Sequence, residues 1–195
     1  EELLRLVKEE MGAHGIVGTH CGTTMVVNSP EAIYEFHDDP APFYEKRDRI
    51  IEASERRFER IMNLDVRPDF LSMGASGTLV WQTPAMFRAL GLPILKRMSA
   101  LCREAGIPSH VHACGPETEL VRMAAEETDL TVIDPLECPP MGDCNLCELK
   151  ATYGDRLVLK GNLHTTETML RGTRDEVLSD ARQAIADAAE GGGFI

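Results

Sequence analysis

Apolar positions along the chain fall into two recurring rhythms. Apolar residues at three- and four-residue spacing predict helices, and short continuous apolar runs predict buried strands. Helical spacing covers residues 1–12, with Leu3, Leu4, Leu6, Val7 and Met11 apolar, and residues 43–62, with Ile50, Ile51, Ala53, Phe58, Ile61 and Met62. It returns over residues 86–90, 93–105, 117–127, 145–153 and 175–189. A further helix over residues 29–37 opens on Ser29-Pro30-Glu31, a proline in the first turn with an acid beside it. Asp38-Asp39-Pro40 breaks that helix, and Gly106 and Gly154 close two of the others.

The apolar runs lie between these helices. They are residues 14–20 around Ile16 and Val17, 69–73 around Phe70, 108–115 around Val111, 130–133 around Val132, 156–160 around Val158, and a final run at Phe194-Ile195. A helical stretch separates each run from the next. Uninterrupted alternation of strand and helix predicts an α/β protein with a parallel sheet. Polar exit loops follow nearly every strand, and residues 74–84 form one rich in glycine and small polar residues around the only tryptophan, Trp81. The expected fold is a (β/α)8 TIM barrel, about six of whose eight units are present. Such barrels typically take about 250 residues, so residues 1–195 read as one domain, the C-terminal portion of a longer barrel. The competing arrangement is a flavodoxin-like open sheet, in which polar loops concentrate at one switch point.

Composition narrows the function classes. The chain has 195 residues, 43% of them hydrophobic, and a formal net charge of -12. That is enough for one sizeable core. The acidic balance argues against nucleic acid and against an anionic membrane surface as partners. No apolar run approaches the roughly 18 residues of a membrane span. The six cysteines read as reduced thiols, which places the protein in the cytoplasm. Two unpaired sheet edges would make this stretch on its own prone to association, a homo-oligomer included.

The chemistry concentrates in residues 108–115, Pro-Ser-His-Val-His-Ala-Cys-Gly. His112 and Cys114 are two apart at a strand's carboxyl end, so they share a face. An imidazole and a thiolate pointing one way make half of a tetrahedral zinc site; the alternative is a buried histidine beside an inert thiol. Glu137 stands at the next strand exit, either as an acid or base over the site or as a loop carboxylate bonded to backbone amides. Asn162 ends the following strand and is expected to orient substrate. His20 and Cys21 face the same rim, and His20 is a candidate substrate contact. Cys144 and Cys147, with Cys138, offer a second and weaker metal pattern, since no further cysteine pair follows at zinc-ribbon spacing. Cys102, mid-helix, reads as packing.

Four pieces occur in one order: His112-Ala113-Cys114-Gly115; Glu137-Cys138-Pro139-Pro140-Met141-Gly142-Asp143; Glu148-Leu149-Lys150 with Tyr153-Gly154-Asp155-Arg156; and Lys160-Gly161-Asn162-Leu163. With the ending Gly192-Gly193-Phe194-Ile195, they resemble the uroporphyrinogen decarboxylase superfamily, and within it the cobalamin- and corrinoid-dependent methyltransferases. The resemblance covers residues 93–195, with Ser29-Pro30-Glu31 as the best landmark of the earlier half.

The resemblance implies that His112 and Cys114 are two zinc ligands, with a further cysteine expected soon after the last strand, beyond Ile195. It implies zinc as cofactor and a corrinoid, methylcobalamin or a corrinoid protein, as methyl donor or acceptor. The other reactant is a small-molecule methyl acceptor, a thiol or another one-carbon carrier. The alternatives within the superfamily are a uroporphyrinogen decarboxylase, which has no use for the His-x-Cys pair, and a non-catalytic corrinoid-binding barrel.

Overall fold

The computed structural model describes residues 1–195. Five strands, β1 (Gly18–Thr23), β2 (Phe70–Gly74), β3 (Ser109–His112), β4 (Val132–Asp134) and β5 (Val158–Leu159), form one sheet in the order β1-β2-β3-β4-β5. Every pairing is parallel. Phe194 bridges to Leu159 in the same sense, and Gly193, Ile195, Leu159 and Gly161 exchange backbone hydrogen bonds, so a further strand begins there. Strand order follows chain order without reversal. That rules out the flavodoxin-like arrangement, whose order turns back at a switch point.

The connections are helical. They are α1 (Glu2–Met11), α2 (Pro30–Asp38), α3 (Ala41–Met62), α4 (Thr78–Trp81), α5 (Pro84–Leu90), α6 (Leu92–Glu104), α7 (Thr118–Glu127), α8 (Leu146–Tyr153) and α9 (Arg174–Ala188). Ser29, Thr83, Asn145 and Thr173 cap α2, α5, α8 and α9 by accepting an N–H of the first turn, as short polar side chains do at helix starts. The helices pack in series, α3 on α6, α6 on α7, α7 on α8 and α8 on α9. A continuous series of this kind places them along one face of the sheet.

Strand alternation separates the two faces. Leu71, Met73, Val111, Ile133 and Leu159 point to the helices and are at most 1% exposed. They join Leu95, Met98, Leu120 and Met123 of α6 and α7 in one core. The opposite face carries His20, Ser72 and His110 side by side in one row, and Gly74, His112 and Asp134 in the next. One face is therefore an apolar seam and the other a polar floor. Cys21 and Cys102 lie in the core, where burial pushes their thiols up to about 11 and about 12. They pack and do not face the rim.

Three expectations need correction. The first strand is not centred on Ile16, which is 67% exposed. The chain is instead anchored where Asp69 exchanges hydrogen bonds with Val17, its Oδ2 accepting the Val17 N–H at 2.7 Å. The strand then runs through the polar Thr19-His20-Cys21-Gly22-Thr23, because its inner face meets the polar floor and only Cys21 turns toward the helices. The loop over residues 74–84 contains a helical turn, α4, entered through Gly77 at φ +74°. A π-helical segment, Thr165–Leu170, follows β5 where no regular element was expected. Its Thr-Thr-Glu-Thr start is rich in residues with low helix propensity, so periodicity gives no signal there.

Candidate functional site

His112 is the last residue of β3, and Cys114 follows two residues later on the same side. The imidazole Nε2 and the Sγ stand 3.2 Å apart. On the ring's far side, Nδ1–H donates to Asp134 Oδ1 at 2.7 Å. That bond is set by register, since His112 pairs directly with Asp134 across β3 and β4. It fixes the tautomer: the proton sits on Nδ1, and the Nε2 lone pair is left free toward Cys114. Histidines that ligate metals are held this way, by a carboxylate on the nitrogen that does not bind.

Asp134 is 6% exposed and anchors more than one group. Lys160 Nζ approaches its Oδ2 at 2.5 Å. His110 Nε2 lies 3.1 Å from Oδ1, off the hydrogen-bond axis, while Ser72 Oγ bonds His110 Nδ1 at 2.8 Å. Burial alone would raise the carboxyl's pKa. The close approach of His110 and the bonds from Lys160 and His112 outweigh it and hold the group well below the usual carboxylate range. Asp134 is thus a fixed anion beneath the site. Cys114 is pushed the other way, upward, chiefly by burial; Ser76, 3.7 Å from Sγ, opposes this, and the Glu137, Glu117 and Asp134 carboxylates add to the rise. Without metal it stands as a thiol that donates to His112.

Two strand exits complete the surroundings. Glu137 Oε2 accepts the Gly115 N–H at 2.7 Å, so the acid reaches back to the residue after Cys114 and leaves Oε1 free. Glu137 thus bonds a backbone amide, and it also lines the cavity over His112 and Cys114. Asn162 lines the same cavity, but its amide Nδ2 donates to Leu136 O at 3.0 Å, so it holds the neighbouring loop as well. The cavity has a volume of about 580 Å³, with Lys160, His164 and Cys138 among its polar walls and Pro135, Leu163, Ile185 and Phe194 among its apolar ones. His20 lies on β1, exposed, beside Gly74 and outside this lining.

Donors fit zinc only in part. Tetrahedral zinc with ordinary Zn–N and Zn–S bonds puts two such ligands about 3.6 Å apart. The observed 3.2 Å needs an opening of a few tenths of an ångström. No three His, Cys, Asp or Glu side chains converge as a complete cage. The second cysteine pattern does not assemble either: Cys144 is buried, its thiol pushed up to about 12 by desolvation, and Cys147 is exposed on α8.

Sequence reading missed Asp134, His110, Lys160 and Glu117. Glu117 is 1% exposed at the start of α7. It does not cap its own helix; Asp143 Oδ1 takes the Thr118 N–H instead. Its side chain turns inward, where Oε2 accepts the Leu136 N–H at 2.6 Å and Oε1 has no partner. Burial pushes its carboxyl up to about 8. An acid entering the helix after the His-x-Cys strand was the available signal.

No family model and no curated protein matches the chain. Among solved structures, a methyltransferase from Methanosarcina mazei superposes with a TM-score of 0.68 at 15% sequence identity, over 99% of this chain and 55% of that one. The two share a fold, and the present chain spans little more than half the length of that structure.

Proposed function

We propose that this chain is about six units of a (β/α)8 barrel of the uroporphyrinogen decarboxylase superfamily, and that it serves a zinc-dependent methyl transfer between a corrinoid and a thiol or other one-carbon acceptor. Sequential strand order, one helical face and one polar face support the barrel. The fold shared with a protein named methyltransferase supports the reaction class. The observation that carries the proposal is the line Asp134–His112–Cys114, in which a buried carboxylate orients an imidazole lone pair onto a thiol.

His112 Nε2 and Cys114 Sγ would hold the metal, with the remaining ligand supplied from outside residues 1–195. Zinc bound there would lower the pKa of an acceptor thiol, so that it reacts as a thiolate. Cys114 must lose its own proton to serve as a ligand, which makes metal affinity fall in acid. Glu137 is the base within reach, its Oε1 free to take the acceptor's proton. A methylated corrinoid docked over this face would supply the methyl group to the acceptor sulfur, and its cobalt would keep the electron pair of the broken bond. Asp134 keeps His112 in one tautomer throughout, and Lys160 balances the Asp134 charge.

The test is metal analysis of the full-length protein prepared without chelator. Close to one zinc per chain is expected, with loss in His112→Ala and Cys114→Ala. A metal-free wild-type protein that takes up no zinc on addition would overturn the proposal.

A further inference from the structure

Glu137 has to leave its strand exit and fold back over Cys114, and the backbone that lets it do so is strained. Leu136, the residue before it, has φ of +59°, a left-handed conformation that a branched side chain adopts at a cost of about 1 kcal/mol or more. Its side chain is fully buried. Such a conformation persists only where its surroundings over-determine it. Here both halves of the residue are held by side chains. Glu117 Oε2 takes the N–H at 2.6 Å, and Asn162 Nδ2 donates to the C=O at 3.0 Å. Glu137's own carbonyl is taken by the Cys144 N–H at 3.0 Å, and its carboxylate by the Gly115 N–H.

We infer that Glu117 is a positioning residue whose carboxyl group, working with Asn162 from the opposite side, clamps Leu136 and thereby sets where the Glu137 carboxylate stands over His112 and Cys114. The inference rests on the proposed role of Glu137. A buried acid facing no cation is costly unless hydrogen bonds offset the burial, and the one bond the Glu117 side chain makes is to the Leu136 N–H. Its one engaged oxygen is the acceptor that the clamp needs, and the protonated form that burial favours still offers it. Glu117 touches neither the metal ligands nor the reacting atoms, so its effect has to pass through Glu137.

Two substitutions separate the clamp from plain packing. Glu117→Gln keeps an oxygen for the Leu136 N–H; Glu117→Met fills a similar volume without one. Hydrogen exchange of the full-length protein, read on the peptide covering residues 134–143, is expected to speed up in Glu117→Met and to stay at the wild-type rate in Glu117→Gln. In the methyl-transfer assay Glu117→Met is expected to lower kcat about tenfold, a rise of about 1.4 kcal/mol in the barrier, with zinc content and KM unchanged. The double variant Glu117→Met/Glu137→Gln should be no slower than Glu137→Gln alone, because both act on one group. Losses that multiply, or exchange that does not change in Glu117→Met, would overturn the inference. Should Glu117→Met fail to fold, Asn162→Ala removes the other half of the clamp and must speed exchange in the same peptide. If the wild type transfers no methyl group, the functional reading fails and the exchange experiment alone decides the clamp.

Discussion

Replacing Asp134 by asparagine probes the centre of the polar floor. The substitution keeps shape and removes charge. One amide oxygen can still accept from His112 Nδ1–H, but the NH2 group then faces the Lys160 ammonium, where Oδ2 had accepted at 2.5 Å. His110, whose side chain is 10% exposed, loses the anion beside it. Lys160 is 44% exposed and can turn to water, which limits the damage. The cost is therefore that of one poorly replaced buried acceptor, about 1–3 kcal/mol, and not the larger cost of a fully buried pair broken open. Urea unfolding followed by circular dichroism measures it as a lower midpoint at unchanged slope. Zinc affinity should weaken about 10- to 100-fold, the usual effect of removing a ligand's outer partner. Competition with a chromophoric chelator reads this directly. An Asp134→Asn protein that binds zinc as tightly as the wild type would refute the claim that this carboxylate orients His112.

Other outcomes follow from individual residues. Glu117 binds its proton up to about pH 8 in the folded chain but releases it near its ordinary value of 4.5 when unfolded, so its contribution makes stability fall as pH rises between those limits. Glu117→Gln should remove a slope of up to about 1.4 kcal/mol per pH unit from that window, and equal pH profiles for the two proteins would contradict this. Asp134, held low by its partners, contributes stability above about pH 4 that is lost in stronger acid; acid unfolding of Asp134→Asn should lack that component. Gly142→Ala would drive a methyl group into the Glu137 and Gly115 carbonyls and should destabilise the fold measurably in thermal melts. Cys147→Ser, on an exposed position, should leave zinc content unchanged and stability within about 0.5 kcal/mol.

His112 and Cys114 were legible in the sequence because period-two alternation is a local property of one strand. Asp134 was not, because its partnership with His112 exists only once β3 and β4 are in register. Lys160 was hidden for the same reason. The alternation of helices and strands was readable from spacing, and the sequential sheet order agrees with it. The first strand was misplaced because apolar residues mark burial; β1 buries one side chain, Cys21, and otherwise carries polar residues. Glu117 was visible as a helix-opening acid, but its inward turn depends on Asp143, twenty-six residues on, taking over the cap. Asn162 was expected to orient substrate; the bond to Leu136 gives it a structural partner that sequence could not reveal.

Mixing the full-length protein with methylcobalamin and candidate thiols under anaerobic conditions, and following the corrinoid spectrum, tests the proposed methyl transfer. Conversion to cob(I)alamin that requires zinc and is abolished in His112→Ala and Cys114→Ala is the expected result. Decarboxylation of uroporphyrinogen by a protein that demethylates no corrinoid with any acceptor would contradict it.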